Sequence, residues 1–551
     1  MAQRAPSGGV SARPKSAAYE ARHTTAAVDR NRIRATEVTA RIERVSIDPD
    51  GSGLGRRVGT SAMWSALNAG LLRASTFLFS LLVARLVVPY EFGVFTVALT
   101  IMTFALSLPE LGVSSAIVRE HDRSRDIAPT VFTISLLGGA VLAGVMVLGA
   151  PFFASELGAP AAAGAVRVLA IIPLLSGLSV VPTALMSRDF MQRQRFITDA
   201  AFFVVSTGTM LVLVLLGHPI LGLAWGQVAG QVVSIALLIL MAPERYWPGF
   251  RRTEARRLLG FGLPLAGSNL LTMAIANVDF IVVGHWLGAQ KLAYYNLAFS
   301  IVGWPVTIFS AVLISVTLPT LSRVRHDGAE LTRHVRAGMS AVVAGSFPAY
   351  ALLCALAGSL IDVVYGPRWH AAWSALVVLG IFGATRTVLL MLSDLAVALG
   401  LTRRLLHIQL TWFACLVPTM IVCVTRWGIV GAGIAHALVV TVIVLPMYLV
   451  TVRRRTPVPL SALSFVLGRP FIGSIGAAAA AYGGASLIVG DVSKLLVGLA
   501  CGLTAYALLA GPWMLRVARM LAAMYWRDHS GPAAQRPRTP LPAEPLVAPH
   551  G

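Results

Sequence analysis

Apolar residues fall in blocks of about 20, the length a helix needs to cross a bilayer, and polar residues collect between the blocks. Such blocks can be placed at 60–84, 91–109, 127–150, 165–186, 198–217, 220–242, 258–283, 293–318, 335–361, 371–396, 404–424, 428–450, 469–489 and 492–514. Brief polar breaks divide close neighbours: Gly217-His218-Pro219 separates the fifth from the sixth, and Arg426-Trp427 the eleventh from the twelfth. The pattern predicts an all-α integral membrane protein with about 14 transmembrane helices.

The basic residues check that count independently. If the N-terminus is cytoplasmic, 37 of the 45 Lys and Arg lie on one side of the membrane. They occupy the N-terminal tail and the loops near Arg119, Arg188, Arg245, Arg323, Arg403, Arg453 and Arg516. The other side has Arg85, Lys291, Arg368, Arg426 and Lys494, one per loop, while Arg73, Arg167 and Arg386 fall in or at the ends of spans. Cytoplasmic loops of membrane proteins carry the excess of Lys and Arg, so both termini are expected inside. The net charge of +21 therefore reads as an orientation signal, not as a nucleic-acid footprint.

Spans one and seven resemble each other. A shift of 201 residues places Leu86 on Leu287, Asn68 on Asn269 and Thr76 on Asn277. Repeating a six-span unit preserves orientation, so the two units would be parallel and related by an axis along the membrane normal. The expected organisation is a disordered cytoplasmic tail at 1–57, six-helix bundles at 58–257 and 258–455, two extra helices at 456–515, and a second disordered cytoplasmic tail at 516–551. The first tail has no apolar stretch of the kind a cleavable signal peptide needs. Val38, Ile42 and Val45 could form one face of a short helix on an anionic membrane surface; a solvated tail is the plainer alternative.

Motifs along this framework are similar to those of a known family. Pro89-Tyr90-Glu91-Phe92-Gly93 follows span one, and Gly112-Val113-Ser114-Ser115 comes after span two. Phe261-Gly262-Leu263-Pro264, Asp279, Leu287-Gly288, Tyr295, Pro305 and Leu318-Pro319-Thr320-Leu321-Ser322 follow in order. Over about residues 55–515 the chain resembles Wzx-type polysaccharide flippases of the multidrug/oligosaccharidyl-lipid/polysaccharide exporter superfamily. Ala293 stands where that family often has Gly. The resemblance implies a bacterial plasma-membrane transporter that moves a polyprenyl-diphosphate-linked oligosaccharide from the inner to the outer leaflet for cell-surface polysaccharide biosynthesis. It implies lipid-linked oligosaccharide and membrane lipids as partners, with the polymerase and glycosyltransferases of the same pathway as further ones, and no nucleic acid. Rival readings are a sibling exporter of drugs or of a peptidoglycan lipid precursor, and a membrane glycan polymerase or glycosyltransferase. A polymerase would need a large outer loop, whereas every outer loop here is within about 15 residues, the range of simple connections.

No catalytic constellation is evident. A phosphate-binding Gly-rich loop with Lys and a helical H-E-x-x-H are both absent from the sequence, and the four cysteines show no C-x-x-C spacing. Neither a cofactor nor a metal is expected. What remains is polarity inside the bilayer, where an Arg costs roughly 2.5–3.5 kcal/mol on insertion scales and therefore faces a cavity or a partner. Arg73 lies in span one beside a polar stripe of Ser61, Ser65, Asn68, Ser75 and Thr76, within an arc of about 100°. Span seven has Ser268, Thr272 and Asp279 within about 40°, with Asn269 further round. Span ten contains Arg386 and Asp394. Arg73, Arg386, Asn68, Asn269, Thr76 and Asn277 are the candidate cavity residues, the arginines for diphosphate because guanidinium grips phosphate oxygens bidentately. Asp279 and Asp394 are candidates for cation coupling. The alternatives are interhelical hydrogen bonds for the hydroxyls and amides and an ion pair of Arg386 with Asp394 or Asp279. His407 and His436 read as isolated structural histidines, and Gln227 and Gln231 as sugar contacts or interhelical bonds.

Overall fold

A computed structural model describes residues 52–107, 124–189, 191–242, 244, 246–324, 328–454 and 460–530. Gly112-Val113-Ser114-Ser115 lies outside them. The regular secondary structure of the described residues is all helix, without a strand. In chain order the helices are α1 (Ser52–Leu86), α2 (Pro89–Ser107), α3 (Ser124–Glu156), α4 (Ala163–Leu169), α5 (Ile171–Arg188), α6 (Gln192–Leu215), α7 (Pro219–Met241) and α8 (Arg252–Val324). They continue with α9 (Gly328–Ala355), α10 (Ala357–Val364), α11 (Trp373–Ala398), α12 (Thr402–Val439), α13 (Leu445–Arg453), α14 (Leu460–Ser486) and α15 (Asp491–Ser530). Short 3-10 turns precede α4 and α11, and a π turn at Val440–Val444 joins α12 to α13, just ahead of Pro446, which has no N–H to donate.

Eleven segments among the described residues are long and apolar enough to cross a membrane. Two of them contain a backbone break. Gly288, with φ 78 and ψ 175, interrupts α8, and Gly428, with φ 62 and ψ −140, interrupts α12. A side chain at such a φ would clash with its own backbone, so glycine lets each long helix divide into two arms. The breaks fall where the sequence separates spans seven from eight and eleven from twelve. Span thirteen corresponds to α14. Spans four and nine are each built from two helical pieces, α4 with α5 and α9 with α10.

Both tail boundaries shift. Helix α1 begins at Ser52, before the expected boundary at 57/58, and α15 runs to Ser530, beyond 515. The second extension has a packing cause: Trp513 and Val517 bury themselves with Ala344 of α9. Cα packing divides the chain into two units, Met1–Asn68 and Ala69–Gly551.

Within the second unit, α6 and α7 pack as an antiparallel pair, α3 packs on α5, and α7 also touches α4 and α5. Further along the chain, α8, α11 and α12 pack mutually, with α9 against α8 and α11. Helices α14 and α15 lie side by side on α9, where Leu352 and Leu356 meet Ala477, Ala481 and Tyr506. Large apolar side chains such as Leu148, Leu215, Ile472 and Leu508 stay exposed on outer helix surfaces. In a bilayer those surfaces meet lipid tails, so their exposure there has no hydration cost. Thr96, Thr100 and Thr103 each donate their hydroxyl to the carbonyl four residues earlier, which satisfies it inside the same helix.

The earlier helices join the later ones mainly through α2 and α8. Gly93 permits the closest approach: a Cβ there would lie 1.9 Å from the Ala289 carbonyl oxygen. Nearby, Asn296 donates to Thr96 Oγ1 at 3.1 Å and His285 Nδ1 bonds the Glu156 carbonyl. Trp369 Nε1 donates to the Ala84 carbonyl at 2.9 Å, and Arg85 to the Val363 carbonyl at 2.8 Å. The Trp369 ring also sits edge-on to Phe92 and Tyr294. All these contacts gather at the end of the spans that holds residues 84–96, 156, 285–296 and 363–369.

Candidate functional site

The first arm of α8, its second arm, α11, and the two arms of α12 enclose a cavity of about 290 Å3. Its wall is mostly aromatic and aliphatic, with Arg386 and His436 as the cationic and titratable members and Thr272, Ser393 and Gln409 as the small polar ones. Such a mixture, apolar walls with few polar groups, is the usual composition of a ligand pocket.

Helix α11 places Phe382 and Arg386 one turn apart, so both point to the same side. The guanidinium carbon of Arg386 lies 5.8 Å from the centre of the Phe382 ring. On its other contact, Phe382 stacks on the His436 imidazole with centroids 4.6 Å apart. A guanidinium near an aromatic ring gains about 0.5–1 kcal/mol or more from the ring's negative face. That interaction leaves the N–H donors unspent. Arg386 makes no hydrogen bond or ion pair within the described residues, and neither Asp394 nor Asp279 lies within ion-pair distance of it.

Asp279 is instead committed elsewhere. It is fully buried on α8, where Oδ2 accepts from Tyr295 Oη at 2.7 Å and lies 3.3 Å from His436 Nε2. Oδ1 accepts the Phe280 backbone N–H at 3.0 Å. The two arms of α8 thus meet across an Asp–Tyr bond, and α12 joins them through His436. A buried carboxylate needs this kind of pairing, because stripping it of water without partners is very costly. His436 Nδ1 is buried with no hydrogen-bond partner among the described residues. The isolated histidine expected from the sequence is therefore part of a buried polar cluster that borders the cavity. Its partner is 157 residues away, and no local pattern announces it.

The other expected site residues are distributed unevenly. Asp394 is half-buried on α11 beside Ser393, which lines the cavity. Thr76 donates to the Leu72 carbonyl, and Asn277 to the Met273 carbonyl, each within its own helix. These two groups are satisfied within their own helices, and neither lines either of the two cavities described here. Arg73 is exposed on α1 and is not part of the wall of either cavity described here. Asn68, the last residue of the first unit, is buried. Asn269 lies on α8, with its side chain outside the described set.

A second cavity, of about 350 Å3, opens between α5, α6 and α7, with Leu72 of α1 at its margin. Polar side chains dominate it: Thr183 on α5, Gln192, Arg195 and Asp199 on α6, Gln231 and Ser234 on α7. The spacing of Gln192, Arg195 and Asp199 puts them on one helical face. That periodicity is visible in the sequence, where Arg195 stands out only as a loop charge. Gln227, its neighbour in the sequence reading, is absent from this wall.

Comparison with known proteins agrees with this architecture. The profile of the family described as "Polysaccharide biosynthesis protein" matches residues 82–374, more than half of the chain. The succinoglycan biosynthesis transport protein ExoT of Rhizobium meliloti (strain 1021) is 26% identical over 429 residues, covering 75% of this chain and 83% of that protein. The lipopolysaccharide biosynthesis protein WzxC of Escherichia coli (strain K12) is 22% identical over 338 residues, covering 60% of this chain and 67% of its own length. Among solved structures, the lipid II flippase MurJ in its inward closed conformation superposes with a TM-score of 0.67 at 14% identity, over 85% of this chain and all of that one. At that identity the likeness establishes the fold alone. An all-α membrane fold shared with a flippase, and a matching family profile that spans both α2 and the α8 arms, converge on one assignment: this chain belongs to the polysaccharide biosynthesis protein family of multi-span membrane proteins.

Proposed function

We infer that the chain is a flippase that carries a polyprenyl-diphosphate-linked oligosaccharide from the cytoplasmic to the outer leaflet by alternating access. The observation that carries this reading is Arg386: a guanidinium in a membrane-embedded cavity, steadied by an aromatic ring and with its hydrogen-bond donors uncommitted. A diphosphate supplies the acceptors it lacks, in bidentate geometry. Sugars and phosphates cannot cross hydrocarbon unaided, because their polar groups would lose water without replacement. A polar chamber shields them while the prenyl chain stays in lipid. The relative ExoT, with transport in its name, supports a role without bond chemistry.

The basic loops would face the cytoplasm of the plasma membrane, as would both termini. The joined end at Gly93, Glu156, His285 and Trp369 would then be the outer end. The moving bodies would be 58–257 and 258–455, with 456–515 attached to the second. Arg73, Thr76 and Asn277 do not line the Arg386 cavity here, and together with Asn68 and Asn269 they would meet cargo at another stage of the cycle. Asp279 and Asp394 would couple a cation, and Asp279 is the better placed because it bridges both α8 arms and α12. The pathway's polymerase and glycosyltransferases would act beside it.

Deleting the gene in the native host and analysing lipid-linked sugars by leaflet tests the proposal. Build-up of complete repeat units on the inner leaflet is expected. Complete units reaching the outer leaflet unpolymerised would indicate a polymerase, and an unchanged lipid pool would point to a different cargo.

A further inference from the structure

The cavity between α5, α6 and α7 has no part in the diphosphate contact assigned to Arg386. It is distinct from the Arg386 cavity in every lining residue. Yet the two occupy matching places in the repeat. Helices α5, α6 and α7 hold spans four to six, and α11, α12 and α13 hold spans ten to twelve. Leu72 of span one edges the first cavity and Thr272 of span seven the second; the shift of 201 that relates those spans places Leu71 on Thr272.

Their chemistry differs. The side chains of Thr183, Gln192, Arg195, Gln231 and Ser234 make no hydrogen bond or ion pair among the described residues, although each borders the cavity. Polar groups at the edge of a hydrocarbon layer need partners. Two amides, two hydroxyls and a guanidinium together present both donors and acceptors. Apolar surface from Phe202 and Leu238 completes the wall. A sugar has this mixed character: hydroxyls around its rim that donate and accept, and C–H faces that pack on apolar side chains. A diphosphate only accepts, and would be served by one or two cations without the amides.

We propose that this cavity is a sugar-binding subsite, which reads the glycan of the cargo while the Arg386 cavity holds the diphosphate. The proposal rests on the transport function above. It divides recognition between the repeats: the first senses which glycan is present, the second that a lipid diphosphate is present. Arg195, beside the half-buried Asp199, gives the subsite a cation for an acidic sugar substituent.

Binding to the purified full-length protein in nanodiscs tests it. The probes are the lipid-linked repeat unit extracted from the native host and the same polyprenyl diphosphate without sugar. The wild type is expected to bind the glycosylated lipid roughly tenfold or more tightly than the bare one, as one or two net hydrogen bonds would give. Gln231→Leu combined with Ser234→Ala should erase that preference and leave bare-lipid affinity unchanged. Arg195→Ala, at an exposed position, should reduce it in the same direction. Arg386→Ala should weaken both lipids and keep the ratio. Equal weakening of both probes by the Gln231/Ser234 variant would show a lipid-headgroup site and overturn the proposal, as would an unchanged ratio. Failure of the wild type to bind either lipid would defeat the transport function itself, and the subsite with it.

Discussion

The two cavities sit at corresponding places in the spans, yet one is bordered by a buried Asp279–Tyr295–His436 network and the other by several polar side chains that make no hydrogen bond among the described residues. In the cavity walled by α8, α11 and α12, His436 is engaged by Asp279 and stacked on Phe382, and Phe382 in turn carries Arg386. A buried network fixes the wall and leaves one cation available. In the cavity between α5, α6 and α7, the side chains of Gln192, Gln231, Thr183 and Ser234 make no hydrogen bond among the described residues, while Ser179 and Thr198 bond carbonyls of their own helices. A rigid, desolvated site suits a compact charge that every cargo has in common. A site with several independent hydrogen-bonding groups suits a variable, hydroxyl-rich ligand. A repeat can thus keep its helix arrangement and divide its chemistry.

The contrast breaks most readily at Asp279. Asp279→Ala removes the acceptor of Tyr295 and the neighbour of His436, leaving buried polar atoms unsatisfied. A loss of about 3 kcal/mol is expected, read as a lower melting temperature of the purified protein and less protein in the membrane. Tyr295→Phe removes the donor but not the carboxylate, and should cost less, about 1 kcal/mol. An Asp279→Ala protein that melts like the wild type would show that the network does not hold the α8 arms together.

A smaller effect is expected at Phe382. Phe382→Leu keeps apolar volume but removes the ring between His436 and Arg386. Stacked rings and cation–ring contacts are each worth about 0.5–1.5 kcal/mol, so a stability loss near 1 kcal/mol should accompany a larger fall in export, because the guanidinium loses its support. Equal falls in stability and export would mean that Phe382 only fills space.

The smallest effect belongs to the other cavity. Thr183→Val and Ser234→Ala remove hydroxyls that bond no described residue, so stability should stay within about 0.5 kcal/mol of wild type, measured by thermal melting. A loss above 2 kcal/mol for either would mean that the group is structural, and the contrast between the cavities would fall.

The spans were legible because membrane helices need long apolar runs and because arginine marks one side. The glycines that divide α8 and α12 sit at the breaks those runs predict. Arg386 was legible as a cation in hydrocarbon. Its distance from Asp394 and Asp279 was not, since a helical wheel orders residues on one helix and says nothing of which neighbour arrives. For the same reason Thr76 and Asn277 looked like cavity residues, although each turns back onto its own helix. His436 was hidden because its partner is far away in sequence. The α6 face with Gln192, Arg195 and Asp199 was present as periodicity, but a positive charge near a cytoplasmic loop is explained by orientation alone.

The central claim is that Arg386 holds cargo and not another part of the protein. The most direct test is glycan export by Arg386→Ala, Arg386→Lys and the Arg386→Ala/Asp394→Ala double variant, with protein level measured in the same membranes. Export should fall by about a hundredfold or more in Arg386→Ala, as loss of a charge-assisted bidentate contact implies, at near-normal protein level. Lysine should restore only part of it, because a point charge cannot reproduce the guanidinium fork, and the double variant should stay inactive. Normal export by Arg386→Ala, or export restored by removing Asp394 as well, would contradict the account.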